Sequence, residues 1–281
     1  MDNASDVVRN LLRGSVDLHV HASPDYVPYT VDIVKLISRA KELGLKAIVL
    51  KSHYYPTVAL ARTLNMLMGF EVYGSLTLNY CIGGFNVNAV KVGLKMGAKV
   101  IWMPTIDAWN HRHYYREKGG GLSILSIKGD LLPEVEEILG LIADNDLVLA
   151  TGHLSPSEVS ILVNEAIHMG VKRIMVTHPI WGPTLMTGKQ ITRLVNAGAY
   201  IELPLSRLML THDASSIEAF IKVIREASPE HCILTSDYGY MIDIDPLGIW
   251  FKCLPLLLER GLPPDDLEVM LKRNPLSLIS P

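Results

Sequence analysis

The segment Asp17-Leu18-His19-Val20-His21 closes an apolar run near the N-terminus and is the most informative stretch of the chain. Side chains alternate between the two faces of a β-strand, so residues two apart project to the same side. The rings of His19 and His21 can therefore face one ion. A single His-x-His pattern is weak evidence for a metal site. Its interpretation depends on which residues lie at the ends of the other strands.

Three later apolar segments also end in a histidine or an aspartate. They are Ala150-Thr151-Gly152-His153, Met175-Val176-Thr177-His178 and Leu234-Thr235-Ser236-Asp237. Four strand ends with potential ligands predict a metal site at one rim of a barrel. Imidazole together with carboxylate suits zinc, iron, manganese or nickel better than calcium or magnesium.

Eight short segments rich in Val, Ile and Leu are predicted to be buried strands. They span residues 15–21, 46–52, 71–79, 99–105, 147–153, 173–179, 200–206 and 232–239. Their nearly continuous apolarity is typical of parallel strands that are covered on both faces. They begin about 30 residues apart, which is the spacing that crossover helices between parallel strands require.

Helical patterns lie between the strands. They span residues 30–43, 57–68, 86–96, 133–143, 155–169, 189–196 and 215–226, and residues 1–14 form an N-terminal helical extension. Ser155-Pro156-Ser157-Glu158 predicts a capped helix start. This alternation predicts an α/β protein, a single (β/α)8 TIM barrel domain over residues 1–281.

An insertion, residues 106–132, separates strands 4 and 5. It contains Lys118-Gly119-Gly120-Gly121 and an alternating run over residues 122–127 that Lys128-Gly129-Asp130 closes. We interpret the insertion as a mobile loop and a small hairpin at the barrel mouth.

The composition narrows the classes of partner. A chain of 281 residues, 49% of them hydrophobic, suits one barrel, although length alone also allows two small domains. The net charge of -3 and the lack of a basic stripe argue against nucleic acid. No apolar stretch resembles a secretory signal or a membrane span. We expect a small-molecule substrate and no membrane partner, and we leave a homo-oligomer open.

Three cysteines, Cys81, Cys232 and Cys253, include no Cys-x-x-Cys pair. An odd number without such a pair disfavours a disulfide framework and fits the reducing cytoplasm. We expect each cysteine to be a small buried apolar residue.

The ordered set of strand ends resembles the amidohydrolase superfamily of metal-dependent hydrolases. Members of that superfamily carry His-x-His after strand 1, His after strands 5 and 6, and Asp after strand 8. The matching motifs here are Asp17-Leu18-His19-Val20-His21, Thr151-Gly152-His153, Thr177-His178-Pro179 and Thr235-Ser236-Asp237. The C-terminal Arg273-Asn274-Pro275-Leu276-Ser277-Leu278-Ile279 also resembles a helix that often ends such barrels. The resemblance spans nearly the whole chain.

The resemblance implies a hydrolase in which metal-activated water attacks an amide, lactam or ester-type bond of a small polar or anionic molecule. The implied metal ligands are His19, His21, His153, His178 and Asp237. His178 would either bind a second ion or hold the attacking water. In both roles it would act on the reacting water, so we predict that it is a catalytic residue. Asp237 would be the catalytic proton shuttle, passing the proton of the water to the leaving group.

Two positions depart from the pattern of that superfamily. Strand 4 offers Met103-Pro104-Thr105 where binuclear members carry a bridging Lys or Glu. The resemblance therefore leaves one or two ions open, with zinc favoured over manganese, iron or nickel and a slight preference for a single ion. His153 precedes Leu154-Ser155-Pro156 and not the Glu of deaminases, which disfavours a nucleoside-type deaminase.

Further polar residues near strand ends are predicted to bind substrate: Lys51, His53, Asn79, Asp107 and His111. Lys51 follows an apolar strand, so it and His53 could bind an anionic group or assist the metal. Alternatively, Lys51 extends to solvent and His53 caps the next helix.

Two further segments could contact the substrate: Gly83-Gly84 after strand 3, and the residues at the start of the insertion. Asn79 precedes Gly83-Gly84, whose N–H groups could hold an anion or form a plain turn. Asp107 and His111 open the insertion, either as a substrate-contacting lid or as a solvated loop.

Other functions on the same barrel stay as alternatives. A decarboxylase, an isomerase or a phosphoesterase could use the same metal and the same aspartate. A non-catalytic metal-binding barrel is the least favoured, because stability alone does not require titratable groups at this rim.

Overall fold

The eight predicted strands are all present in the computed structural model, which describes residues 2–29, 31–211, 214–239, 245 and 247–280. They are β1 (Val16–Val20), β2 (Ala47–Leu50), β3 (Glu71–Thr77), β4 (Ala98–Trp102), β5 (Val148–Ala150), β6 (Arg173–Val176), β7 (Tyr200–Pro204) and β8 (Cys232–Thr235). The strands follow chain order in one eight-stranded sheet, and the pairings described between neighbours are parallel. A parallel bridge from Val20 to Tyr238 links the ends of the first and last strands. The predicted (β/α)8 TIM barrel is confirmed.

Helices alternate with the strands. They are α1 (Asp2–Leu12), α2 (Ile33–Glu42), α3 (Val58–Met68), α4 (Val87–Met96), α5 (Trp109–Tyr114), α6 (Pro133–Asp144), α7 (Pro156–His168), α8 (Gly188–Asn196), α9 (Leu205–Thr211), α10 (Ala214–Ala227), α11 (Gly248–Glu259), α12 (Pro264–Glu268) and α13 (Asn274–Ile279). The sequence patterns did not predict α5, α9, α11 or α12. Met1, Thr30 and Pro281, which belong to predicted segments, lie outside the described residues.

The predicted cap of α7 is present as a capping box. The Ser155 hydroxyl accepts a hydrogen bond from the Glu158 N–H at 3.3 Å, and a Glu158 carboxylate oxygen accepts one from the Ser155 N–H at 3.0 Å. Two of the orphan donors at the helix start are therefore satisfied. The helix thus begins immediately after the β5 end that carries His153.

The strands end earlier than the sequence patterns predicted. After β5, β6 and β8, the backbone enters the left-handed region at Gly152 (φ 61°), His178 (φ 27°) and Asp237 (φ 45°). Non-glycine residues rarely adopt this conformation, and it often marks functional positions. Each turn takes the chain out of the sheet at the residue, or next to the residue, that was predicted to bind metal.

The insertion differs from its predicted form. Its first part is the short helix α5, and the predicted hairpin is reduced to one antiparallel bridge between Leu125 and Leu131. The alternating run contacts α7 instead, because the Ser123 hydroxyl donates a 2.8 Å hydrogen bond to Glu158. These contacts hold residues 122–127 in place, although no second strand among the described residues pairs with them.

The contacts within the chain define two compact units. The first unit consists of the described residues of Met1–Leu50, Ala61–Tyr73 and Leu203–Ser280, and the second consists of Lys51–Leu60 and Gly74–Glu202. Large fully buried side chains such as Leu18, Phe220 and Trp250 form the core of the first unit, and Leu76 and Trp102 belong to that of the second. Among the described helices, none has both the length and the apolarity to cross a bilayer.

The three cysteines are free thiols. Cys232 and Cys253 are buried as expected, and burial raises the pKa of each to about 12. Cys81 is exposed, contrary to expectation, because it lies in the short 3-10 turn Tyr80–Ile82 that follows β3.

Candidate metal centre

Three of the predicted ligands, His19, His21 and Asp237, lie together in the first unit and are buried. His19 Nε2 is 3.2 Å from His21 Nε2 and 3.1 Å from Asp237 Oδ1, and His21 Nε2 is 3.7 Å from that oxygen. Ligand atoms around one tetrahedral zinc ion lie about 3.4 Å apart. The donor set therefore fits a divalent transition metal in both chemistry and spacing. Within the described residues, no other group of three such side chains satisfies the same distance test.

Backbone hydrogen bonds hold the two histidines against Asp237. The Asp237 N–H donates to His19 O at 3.0 Å, and the His21 N–H donates to Tyr238 O at 2.8 Å. The buried carboxylate of Asp17 accepts from the N–H groups of His19, at 3.2 Å, and Ser236, at 3.1 Å. Asp17 shares a strand face with His19 and His21, so the alternation of β1 already carried a signal for its presence here.

The two oxygens of the Asp237 carboxylate have different surroundings. Oδ1 faces the two histidines, whereas Oδ2 accepts a 3.1 Å hydrogen bond from the Ser206 hydroxyl and lies 3.8 Å from Arg207 Nη2. Ser206 and Arg207 were not predicted as site residues. Ser206 was assigned to the end of the predicted strand 200–206, but the chain leaves β7 and begins α9 at Leu205.

Tyr29 is another unpredicted residue of the centre. Its buried hydroxyl lies 3.3 Å from His21 Nδ1, and the two rings are 5.3 Å apart. A histidine that binds metal through one ring nitrogen commonly bonds a polar group through the other. Tyr29 is thus placed to orient His21 with Nε2 toward His19 and Asp237. It lies outside the strand patterns, and no spacing rule could have identified it.

Gly239→Ala is expected to damage this centre. Gly239 has a φ of 146°, and an added Cβ would lie 2.5 Å from His21 Cβ and 3.0 Å from Tyr29 Cδ1. We expect the free energy of unfolding to fall by roughly 2–4 kcal/mol. Zinc affinity should fall by about tenfold or more, since the oriented ligand moves. Urea unfolding and zinc titration measure the two effects.

Gly261→Ala is the matched control. Its φ is 87°, but an added Cβ would meet no atom within 4 Å. We expect a loss of stability near 1 kcal/mol from backbone strain and no change in zinc affinity. Equal zinc affinities in the two variants would show that the contact of Gly239 with His21 has no role in metal binding.

The second unit contains a group of four histidines, His53, His111, His153 and His178. The ring centroid of His153 is 4.7 Å from that of His111, 5.0 Å from that of His178 and 6.0 Å from that of His53. The unpredicted Trp181 lies 5.1 Å from His178 and 5.4 Å from His153. Two predicted ligands and two predicted substrate-binding residues are thus brought together.

His153 is fixed from helix α5 of the insertion. Its Nδ1 lies 2.8 Å from His111 Nδ1, and its carbonyl oxygen accepts a 3.1 Å hydrogen bond from the Asn110 amide. Burial, followed by the charges of the groups around it, holds the pKa of His153 well below its usual range; these groups are His178, Lys51, His111 and His53. His153 is therefore neutral, which is the form that binds metal.

Close backbone contact explains the Gly-His pattern at the end of β5. A Cβ at Gly152 would lie 2.3 Å from Met103 O and 2.5 Å from Pro104 O. The His153 N–H donates to the same Pro104 oxygen at 2.9 Å. Only glycine allows the turn that places His153 in this cluster.

His178 is held by the loop that follows it. Thr184 Oγ1 donates a 2.8 Å hydrogen bond to the His178 carbonyl oxygen and lies 3.3 Å from His178 Nδ1. These contacts stabilise the left-handed backbone of His178.

The remaining predicted substrate-binding residues of the second unit are also buried. Lys51 is 2% exposed, and its ammonium lies 4.3 Å from the centroid of the Trp102 ring, a cation–π contact. It does not extend to solvent. His53 Nδ1 lies 2.7 Å from Thr105 Oγ1. Asn79 donates to His53 O at 3.0 Å and to Thr105 Oγ1 at 2.8 Å, so both amide protons are used within the protein.

Asp107 links the insertion to the end of β3. Its Oδ2 accepts a 2.8 Å hydrogen bond from the Tyr80 N–H, and its Oδ1 pairs with Arg112 at 3.3 Å. The N–H groups of Gly83 and Gly84 each donate at 2.9 Å to carbonyl oxygens of this turn, which supports the plain turn over an anion cradle.

Solved structures with this fold include several whose names refer to hydrolysis. An amidohydrolase from Pseudomonas aeruginosa has a TM-score of 0.69 at 10% identity, covering 98% of each chain. The probable dipeptidase PvdM from Pseudomonas aeruginosa has a TM-score of 0.68 at 10% identity, covering 99% of this chain and 98% of its own. The lactonase Lmo2620 from Listeria monocytogenes has a TM-score of 0.65 at 12% identity, covering 95% and 94%. At such identities the likeness establishes the fold alone, which is the eight-stranded barrel that the sequence predicted.

The sequence comparisons assign the chain to a family. No curated protein matches it. A family model described as a family of unknown function matches residues 14–202. Because this match spans well over half of the chain, the protein belongs to that family of unknown function, DUF6282.

Proposed function

We propose that the protein is a metal-dependent hydrolase that cleaves an amide, lactam or ester-type bond of a small polar or anionic molecule. The observation that carries the proposal is the buried group of His19, His21 and Asp237, whose ligand atoms lie within 4.8 Å of one another. This group ends β1 and β8 of an amidohydrolase-type barrel. The names of the similar structures support hydrolysis as the class of reaction. One of them, a probable 2-pyrone-4,6-dicarboxylic acid hydrolase from Acinetobacter baumannii, contains citric acid.

The first-unit residues have complementary roles in this proposal. His19, His21 and Asp237 hold a divalent transition metal, with zinc favoured over manganese, iron or nickel. Such an ion activates water and polarises the bond under attack. Asp237 Oδ2 is the carboxylate oxygen directed away from the histidines, so it can accept a proton and pass it to the leaving group. The Ser206 hydroxyl can donate to this oxygen before protonation and accept from it afterwards.

The second-unit residues remain proposed site residues. We propose His153 and His178 as further ligands, with one or two ions bound in all, and His178 as the alternative holder of the attacking water. The 5.0 Å separation between the ring centroids of His153 and His178 supports pairing them in this role. The proposed substrate contacts are Lys51, His53, Asn79, Asp107 and His111. The proposed location is the cytoplasm, on the basis of the free thiols.

Metal content and metal-dependent turnover together test this function. Protein purified without chelator is analysed by plasma mass spectrometry and assayed on lactones, N-acyl amino acids, dipeptides, aryl esters, phosphate monoesters and β-keto acids. We expect at least about one equivalent of transition metal. Hydrolysis of a carbonyl compound should stop on chelation and return with zinc. Protein that neither holds nor takes up metal, or that turns over only phosphate esters or β-keto acids, would contradict the proposal.

A further inference from the structure

Asn110 lies on helix α5 and joins the insertion to the ends of two strands of the second unit. Its side-chain amide donates one hydrogen bond to His153 O at 3.1 Å and another to Pro183 O at 2.6 Å. His153 follows β5, and Pro183 lies in the loop that follows β6. One partly buried side chain therefore links the backbone segments that carry two proposed ligands of this unit, His153 and His178.

The hydrogen bond to Pro183 supports His178 through a short turn. Pro183 belongs to the 3-10 turn Gly182–Thr184. The Thr184 hydroxyl donates to His178 O at 2.8 Å, and the Trp181 N–H donates to the same oxygen at 3.3 Å. Because Thr184 is joined directly to Pro183, a shift of Pro183 would disturb this support of His178.

The start of helix α5 is held by the rest of the insertion. The Trp109 N–H donates to Leu122 O at 2.8 Å, and the Leu122 N–H donates to Asp107 O at 2.7 Å. A Cβ at Gly121 would lie 2.6 Å from the Trp109 nitrogen, so glycine allows the chain to pack directly against the helix start. These contacts fix the segment from which the amide of Asn110 reaches the two strand ends.

The next residue of α5 contacts the ring of the same histidine. His111 Nδ1 lies 2.8 Å from His153 Nδ1. The backbone bond from Asn110 and the ring contact from His111 thus act together on His153, whose ring centroid is 5.0 Å from that of His178. Groups that hold a metal-binding histidine in place commonly contribute 10- to 100-fold to metal affinity.

We propose that Asn110 is a positioning residue that sets the separation of His153 and His178. Its two hydrogen bonds fix the segments after β5 and β6 relative to each other, so that both rings are held where they can bind metal. The insertion then has a role in assembling the site, besides the substrate contacts proposed for Asp107 and His111. This inference rests on the proposed function, because it requires the two histidines to be metal ligands.

Zinc affinity and the visible spectrum of the cobalt-loaded protein test the inference without an activity assay. Asn110→Asp keeps the size of the side chain but replaces the two donors with an oxygen that faces two carbonyl oxygens. Zinc affinity, measured by competition with a chelating dye, should fall roughly 10- to 100-fold. The cobalt absorption bands should shift, because they depend on the geometry of the ligands.

Asn145→Asp is the matched control. Asn145 is an exposed residue of the same unit, and its amide donates to Leu141 O at 2.9 Å. The substitution therefore removes a donor from a carbonyl oxygen without touching the histidines. Zinc affinity and the cobalt spectrum should equal those of the wild type. If circular dichroism shows that Asn110→Asp is unfolded, Asn110→Ala replaces it, since alanine removes the donors without adding a facing oxygen.

His153→Ala and His178→Ala separate this inference from the function on which it rests. Wild-type protein that binds no metal overturns the proposed function, and the inference with it. Zinc affinity that falls in either histidine variant but not in Asn110→Asp overturns the inference alone. Unchanged affinity in all three variants overturns the assignment of His153 and His178 as ligands, and so the inference. A purely structural role of Asn110 would lower the free energy of unfolding but leave both metal readouts unchanged, which also overturns it.

Discussion

Replacement of both His19 and His21 by alanine is expected to reduce bound zinc from about one equivalent to nearly none. The variant keeps only Asp237 from the three clustered ligands, and one carboxylate oxygen does not hold a transition metal against dialysis. Plasma mass spectrometry after equilibrium dialysis measures the loss. Far-UV circular dichroism shows whether the barrel remains, because both rings are buried and their removal leaves a cavity.

A double variant of exposed histidines is the control for that experiment. His113 stacks on Trp109, and His168 lies at the end of α7, so replacing both with alanine should leave the zinc content unchanged. Zinc that persists in the His19/His21 variant would refute the first-unit centre. Zinc that disappears in His153→Ala as well would show that this residue is needed for binding, as the resemblance implies.

Asp237→Asn is expected to lower kcat by roughly 10³- to 10⁴-fold on whichever compound the panel identifies. Asparagine keeps the shape of the side chain and an oxygen that can face the two histidines. It lacks the negative charge and the basic oxygen that would accept the proton of the water. We therefore expect the fold and most of the bound metal to remain. Steady-state kinetics with parallel metal analysis on the same samples separates the two effects.

The control for this substitution is Asp6→Asn, which changes an exposed carboxylate on α1 in the same way. Its kcat and metal content should equal those of the wild type. Turnover retained in Asp237→Asn would remove the proton-shuttle role. Metal lost in step with turnover would show that Asp237 acts as a ligand, and the proton-transfer assignment would lose its support.

The strands and the sequence positions of the three clustered candidate ligands could be predicted because two periodicities coincide in the sequence. Apolar runs of parallel strands recur with crossover helices between them, and the alternation along β1 places His19 and His21 on one face. Asp237 follows the last run. No tertiary information was needed for these assignments, since each depends on neighbours within a few residues or on a regular repeat along the chain.

The missed residues depend on contacts that no local pattern encodes. Ser206 continues an apolar strand pattern, but the backbone turns at Leu205 and carries Ser206 and Arg207 to the side of Asp237. Tyr29 reaches His21 from an irregular segment. Helix α5 is only six residues long, too short for a helical period to stand out from the insertion.

The dual role of Glu158 constrains how the loops of this barrel can be exchanged. The same buried carboxylate completes the cap of α7 and accepts hydrogen bonds from Ser123 and the Ile124 N–H. A shortened insertion would leave one of its oxygens without these donors in a place that is only 5% exposed. An exchange of the insertion with that of another barrel would therefore have to transfer the segment that contains Ser123 and the start of α7 together.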